Sequence, residues 1–166
     1  MKLALPVLLA IALLGACATA PPPVTTFILV RHAEKVPDGS KDPELTAAGL
    51  ARADALAVRL ADMPLAAVYS TAYRRTQQTA APTARGHSLA VTTYDAKATA
   101  QELSSRLQRE HPGRSVLVVG HSNTIPGIAA ALCSCAVAEM SEAEYDRLTT
   151  VRIDAGGKAT LEQGRQ

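Results

Sequence analysis

Apolar and polar positions along this chain group into blocks that predict strands and helices in turn. Thr25–Val30 is a β-branched and aliphatic run, TTFILV, and reads as a buried strand. The polar, Pro- and Gly-containing stretch Arg31–Pro43 reads as a loop. Thr46–Asp62 follows as a helix, with Leu50, Ala53, Ala57 and Leu60 recurring at steps of three and four and Leu56 beside them. Pro64 closes it. Leu65–Tyr69 is a second short strand, followed by a helix through about Thr83, and Leu89–Tyr94 is a third strand. Thr99-Ala100-Gln101-Glu102 forms a capping box, a threonine hydroxyl with a glutamate three residues on. It opens a helix carrying Leu103 and Leu107 that ends near His111-Pro112-Gly113. Val116–Val119 is continuously aliphatic, the pattern of a strand covered on both faces. A helix over about Asn123–Leu132 comes next, and Ser141-Glu142-Ala143-Glu144 reads as a short helical turn.

Strands that alternate with helices predict an α/β fold, a three-layer αβα sandwich around a mostly parallel sheet. The C-terminus breaks the alternation. Leu148–Asp154 and Lys158–Gln163 flank Ala155-Gly156-Gly157, which predicts a β-hairpin at one sheet edge. Neither an internal repeat nor a second domain is visible over residues 25–166.

The N-terminus carries a different signal. Lys2 precedes the apolar run Leu3–Leu14, and small residues follow, the layout of a secretory signal peptide. Leu14-Gly15-Ala16-Cys17 resembles the bacterial lipobox, in which the cysteine is diacylated and becomes the mature N-terminus. Residues 1–17 are therefore expected to be a leader, Cys17 a lipidation site and residues 18–24 a Pro-rich spacer. The plain alternative is cleavage near Ala18 or Ala20, with Cys17 discarded. Either way the protein is expected to be exported to the periplasm, and the lipid would anchor it to a membrane. Cys133 and Cys135 are separated by one residue. A bridge is open to them in an oxidising compartment, but so tight a loop is strained, which favours two small unbridged side chains.

Composition excludes some functions. The 166 residues carry a net charge of +2, and Phe27 is the single phenylalanine. No basic run with interleaved aromatics is present, so no nucleic-acid partner is expected. No cluster with metal-ligand spacing and no P-loop calls for a metal or another cofactor.

The candidate chemistry lies at strand ends. In parallel α/β sheets, ligands bind beyond the carboxyl ends of the strands. The first strand ends in Arg31-His32, the second in Ser70-Thr71 followed by Arg74-Arg75, and the aliphatic strand in Gly120-His121-Ser122-Asn123. Adjacent ends would converge guanidiniums and imidazoles on one concave spot suited to a phosphate dianion. The helix after Asn123 would add N–H donors, and a neutral imidazole there can attack phosphorus. Ser122 and Asn123 are N-cap residues that also line this spot.

LVRHAEK, YSTAYRRTQQTA and VLVVGHSNT, in that order, resemble the histidine phosphatase superfamily in its phosphoglycerate mutase-like branch, and ELTAAGLARA resembles the segment after its first motif. The resemblance implies that His32 is the nucleophile, with its second ring nitrogen held by a backbone carbonyl. It implies phosphoryl contacts from Arg31 and His121. Anchoring on Gln78-Thr79-Ala80 places Arg75 and Thr71 in the pocket, whereas anchoring on Ser70 would choose Arg74. Many members set a carboxylic acid after the third strand, where Asp95 lies here, and Glu34, two residues beyond His32, is the second candidate. The expected activity is a metal-independent phosphatase for phosphomonoesters or phosphohistidine, acting on a phosphorylated small molecule or phosphoprotein. The alternative is an envelope lipoprotein that binds phosphate or polyanions without turnover. Mutase chemistry is disfavoured because an exported protein would not meet glycolytic intermediates.

Overall fold

The computed structural model describes residues 23–166. The leader and Cys17 lie outside the described residues, as does most of the spacer. The elements run β1 (Thr25–Arg31), α1 (Ala47–Arg59), β2 (Leu65–Ser70), α2 (Arg74–Gly86), β3 (Val91–Thr93), α3 (Ala100–Glu110), β4 (Ser115–Gly120), α4 (Ile125–Cys133), β5 (Arg147–Ile153) and β6 (Ala159–Arg165). The six strands form one sheet in the order β3-β2-β4-β1-β5-β6. The four strands on the β3 side are parallel, and β5 and β6 form the antiparallel edge hairpin. This is the αβα sandwich the hydrophobic pattern predicts.

The period-two geometry of a strand explains the layers. In β1, Phe27 and Leu29 face one side and join Val116, Val118, Leu103, Leu107 and Ile128 under α3 and α4. Ile28 and Val30 face the other side and join Val68, Leu117, Val119, Leu56 and Ala80 under α1 and α2. Both faces of β1 and β4 are thus covered, which is why their sequences are unbroken aliphatic runs. The buried stripe of α1 runs through Ala53, Leu56 and Leu60, while Leu50, expected on that stripe, is exposed. Its place facing the β1–α1 connection is taken by Gly49, where a Cβ would overlap the carbonyl oxygen of Glu34.

The connection from β3 back to β4 creates the functional geometry. The chain leaves β1 for β2 and β3 through α1 and α2 on one face, then returns through α3 on the other to insert β4 between β2 and β1. The adjacent strands β1 and β4 therefore send their following helices to opposite faces, and a crevice opens between their C-terminal ends.

Several local expectations are corrected. Arg31 is the last residue of β1, and the following segment is not a free loop: Lys35 bridges Leu45 in antiparallel fashion, and Val36 N–H donates to Glu44 O at 2.8 Å. Helix α2 continues past Pro82 to Gly86. Residues 141–144 make a turn and not a helix, because the Ser141, Glu142 and Glu144 carbonyls are taken by the Arg31 guanidinium. Neither Ser122 nor Asn123 caps α4, whose N-cap is Thr124. Cys133 and Cys135 are bridged, with Cα atoms 5.2 Å apart. Ser134 between them adopts the left-handed conformation, φ 51°, that lets so short a loop close at the end of α4.

Candidate active site

The last ladder bonds of β1 and β4 set the centre of the site. Arg31 pairs with Gly120, and His32 N–H donates to Gly120 O at 2.9 Å. The next residue of each strand end is then a histidine. The rings of His32 and His121 lie edge to face with centroids 5.5 Å apart. Gly120 is required here because a Cβ would meet Tyr94 Oη at 2.7 Å and Ile125 Cδ1 at 2.9 Å.

His32 is 3% exposed, and its Nδ1 lies 2.8 Å from Ala33 O. A carbonyl only accepts, so Nδ1 carries the proton and Nε2 keeps its lone pair. Burial, helped by the charges of Arg31, His121 and Arg75, depresses its pKa to about 3. The backbone bond to Ala33 opposes this only in part. His121, 8% exposed, is held down to about 4, by burial first and then by Arg75 and Arg31. Both rings are neutral at physiological pH.

A hydroxyl relay orients His121. Its Nε2 lies 3.0 Å from Thr71 Oγ1, which lies 2.7 Å from Thr76 Oγ1. Thr76 Oγ1 also donates to the Tyr73 carbonyl at 2.8 Å. With that proton committed, Thr76 accepts from Thr71, and Thr71 accepts from His121 Nε2–H. Only Nδ1 of His121 remains for a ligand.

The polar cleft, about 470 Å³, brings together His32, His121, Arg75, Ser122 and Asn123, with Lys35, Tyr73, Lys97 and Glu142 around them. Of the two candidate arginines, Arg75 lines the cleft, its guanidinium 4.3 Å above the Tyr73 ring. Arg74 points outward to an exposed ion pair with Glu44. Arg31 sits beside the cleft, 1% exposed, stacked on Tyr145 and donating to three carbonyls of residues 141–144. Its Nη2 donates to Glu142 Oε2 at 2.7 Å. The Nε groups of Arg31 and Arg75 are both buried without a partner. An unpaired buried donor costs free energy, and an oxyanion would satisfy both.

The candidate acids lie elsewhere. Glu34 makes a forked ion pair with Arg52, at 2.5–3.1 Å, which holds its carboxyl below the usual range. Asp95 is exposed and accepts from Lys97 N–H at 2.9 Å, shaping the turn after β3. Neither lines the cleft. The carboxylate that does is Glu142, which accepts from Ser122 Oγ and from Arg31. The Ser122 hydrogen bond, with Arg31, keeps its pKa low. Sequence reasoning missed it because it lies 110 residues beyond His32 in a polar turn. The one available signal was the acidic pair in SEAE between two predicted elements.

A crevice at a topological switch point, walled by two neutral imidazoles and two guanidiniums with unpaired donors, defines an α/β protein built to handle an oxyanion. Residues 27–96 match the family model described as Histidine phosphatase superfamily (branch 1). That match spans β1 to the turn after β3, and it supports a phosphatase as the class of enzyme. Its fold is similar to that of the protein histidine phosphatase SixA complexed with tungstate: TM-score 0.72, 20% identity, covering 84% of this chain and 96% of that one. It is also similar to mycobacterial glucosyl-3-phosphoglycerate phosphatase, with TM-score 0.70, 17% identity and coverage of 84% and 97%. A third neighbour is a SixA from Nakamurella multipartita described as a putative phosphohistidine phosphatase, with TM-score 0.66, 23% identity and coverage of 88% and 98%. A comparison with curated protein sequences finds no match.

Proposed function

We propose that the protein hydrolyses phosphomonoesters or phosphohistidine through a covalent phosphohistidine on His32, without assigning any step to a metal. One observation carries the reading. His32 is neutral, its Nδ1 is tied to Ala33 O, and its Nε2 lone pair is left free in a cleft that Arg75 lines and within the electrostatic reach of Arg31. In the first step the Nε2 lone pair forms the N–P bond in line as the P–O ester bond breaks. Arg75, Arg31 Nε and His121 Nδ1 neutralise the equatorial oxygens. His121 takes up a proton as the dianion enters, so that both ring nitrogens donate. The leaving oxygen needs a proton, and Glu142 is the carboxylate in the cleft to supply it. Its resting pKa is low, but a phosphoryl dianion beside it pushes that value up, which allows it to carry the proton shared with the substrate. In the second step water attacks phosphorus, the N–P bond breaks, and the water proton goes to Glu142.

The test is incubation with a radiolabelled aryl phosphate in the presence of a chelator. Turnover is expected together with an acid-labile, base-stable label that His32→Ala removes. Full activity in His32→Ala would sink the nucleophile assignment. Tight phosphate binding with neither label nor turnover would favour the non-catalytic anion-binding reading, to which the Glu142 carboxylate already seated on Arg31 lends some support.

We also propose export, with lipidation at Cys17. The leader-like N-terminus supports this, and so does the Cys133–Cys135 bridge, since disulfides persist in oxidising compartments. Mass spectrometry of the mature N-terminus tests it: an unacylated terminus at residue 19 or 21 would remove the lipid from the proposal.

A further inference from the structure

We infer that Thr79 is a positioning residue for the nucleophile: its hydroxyl holds the peptide before Ala33, so that the Ala33 carbonyl keeps His32 in its Nδ1–H form. The inference rests on the phosphatase reading for the reaction it serves. Thr79 lies in the second turn of α2 and is buried. Its Oγ1 is 2.7 Å from Arg75 O and 3.0 Å from Ala33 N. A hydroxyl has one proton and a carbonyl only accepts, so that proton goes to Arg75 O, one helical turn back. The oxygen lone pairs are left to accept from Ala33 N–H. One hydroxyl thus ties the helical turn that carries Arg75 to the residue after His32, across 46 positions of chain.

This bond stands where the sheet runs out. His32 N–H still donates to Gly120 O of β4, but Ala33 lies beyond the end of β1 and is fully buried. Its N–H has neither a strand partner nor water, and Thr79 Oγ1 takes the place of both. A buried N–H that loses its acceptor is costly, so the peptide would turn to find another. The carbonyl of the same residue is the one 2.8 Å from His32 Nδ1. Its aim is set from both sides. Thr79 fixes the peptide before Ala33, and Thr46 N–H, 2.9 Å from Glu34 O, fixes the peptide after Glu34. Without the Thr79 hydroxyl the first restraint is gone, and the imidazole is free to carry its proton on Nε2. In that form the ring has no lone pair on the nitrogen that faces phosphorus. The groups that bind the anion are spared. The Arg75 carbonyl keeps the Thr79 amide as its helical partner, and His121 is oriented by Thr71 and Thr76. Loss of this hydroxyl therefore acts on the chemical step and leaves phosphate binding in place.

The experiment compares the wild type with Thr79→Val, which keeps the branched shape and removes the hydroxyl, and with Thr79→Ser, which keeps the hydroxyl. Thr79→Ala, judged by the same criteria, replaces Thr79→Val if circular dichroism shows the latter unfolded. NMR of the ring nitrogens in isotope-labelled protein reads the His32 tautomer in the resting state, with His32→Asn assigning its signals. The wild type is expected to show the Nδ1–H form alone, and Thr79→Val a mixture with the Nε2–H form. In Thr79→Val, kcat on an aryl phosphate should fall about tenfold or more, while the affinity for inorganic phosphate, measured by titration calorimetry, stays within about twofold. Thr79→Ser should restore the single tautomer and bring kcat to within about threefold of wild type. An unmixed Nδ1–H tautomer in Thr79→Val would overturn the assignment. So would a kcat and a phosphate affinity that fall together, or a loss that Thr79→Ser does not rescue. If His32 is labelled and turns over but Thr79→Val matches the wild type in both readouts, the positioning role fails and the phosphatase reading stands. If the tautomer shifts as expected but the wild type forms no phosphoenzyme, the positioning role stands and the catalytic reading fails.

Discussion

Two imidazoles kept neutral by burial should make the fold itself sensitive to mild acid. The folded pKa values of His32 and His121, about 3 and about 4, lie below the ordinary histidine value of 6.5. The sign follows from linkage. As pH falls below 6.5 the unfolded chain binds protons at these positions and the folded chain does not, so acid favours unfolding. The stability they contribute is complete above about pH 7, declines as pH drops through 6.5, and goes on declining until the folded values are reached. Each pH unit in that window costs about 1.4 kcal/mol per group. Between pH 8 and pH 5 the loss is about 2 kcal/mol for each ring and about 4 kcal/mol for the pair. This is a large part of the 5–15 kcal/mol stability that is roughly typical of a domain.

The assay is urea unfolding followed by circular dichroism at several pH values from 5 to 8, for wild type and for His32→Asn/His121→Asn. Substitution at buried positions alters absolute stability, so the quantity to read is the difference in pH slope. Other groups that titrate, including His111 and the surface carboxylates, are common to both proteins and cancel. The wild type should lose about 4 kcal/mol more than the double variant over this range. Saturating phosphate should shrink that gap, because an anion beside the rings stabilises their protonated forms. Parallel pH profiles would refute the reasoning. They would mean that the rings take up protons freely in the folded state, which cannot be reconciled with a lone pair held ready on His32.

Other substitutions test other links. Glu142→Gln should reduce kcat/KM for an alkyl phosphate by about a hundredfold or more and for a nitrophenyl phosphate by less than about tenfold; equal losses would remove Glu142 from proton transfer. Gly49→Ala should lower stability by about 2 kcal/mol and depress activity, since the new methyl overlaps Glu34 O and must displace the segment between His32 and Lys35; an unaffected protein would show that this segment yields freely. Cys133→Ser/Cys135→Ser should cost about 1–2 kcal/mol in chemical denaturation, because the loop closed by the bridge is so short, with kcat on an aryl phosphate retained.

Most of the fold was legible because its strands are buried on both faces and its helices carry strong boundaries. The aliphatic runs at β1 and β4 have no competing reading, and the Thr99–Glu102 capping box fixes the start of α3 to the residue. His32 and His121 were legible for a related reason: each directly follows a strand whose end is marked in the sequence, while Arg75, in the first turn of α2, was placed by the Gln78-Thr79-Ala80 segment after it. What stayed hidden depends on contacts between distant segments. Glu142 enters the cleft only because buried Arg31 gathers the 141–144 carbonyls, a contact across more than a hundred positions of chain. Ser122 reads as a helix cap until Glu142 arrives to accept its hydroxyl. Glu34, two residues past His32, looks catalytic by spacing, yet its ion pair with Arg52 holds it out of the cleft. The Cys133–Cys135 bridge was misjudged because the expected strain assumed ordinary backbone, and Ser134 takes the left-handed alternative.

The charge pattern of the cleft links these details to the chemistry. Arg31 makes three carbonyl bonds through one nitrogen and an ion pair through another, so it anchors the 141–144 turn as much as it faces a ligand. Its remaining donor, Nε, and that of Arg75 are the buried groups without partners. Glu142 thus offsets part of the positive charge, while two buried guanidinium donors and one nitrogen of each ring have no protein partner. An entering phosphoryl dianion completes the hydrogen bonding and at the same time raises the proton affinity of His121 and Glu142. The same electrostatic event that binds substrate thus supplies a second N–H donor and a protonated carboxyl at the step that needs them. On this account, anion binding near pH 7 is accompanied by proton uptake. Titration calorimetry in buffers of different ionisation enthalpy measures that uptake directly, and a value of zero for the wild type would separate binding from the proton chemistry proposed for it.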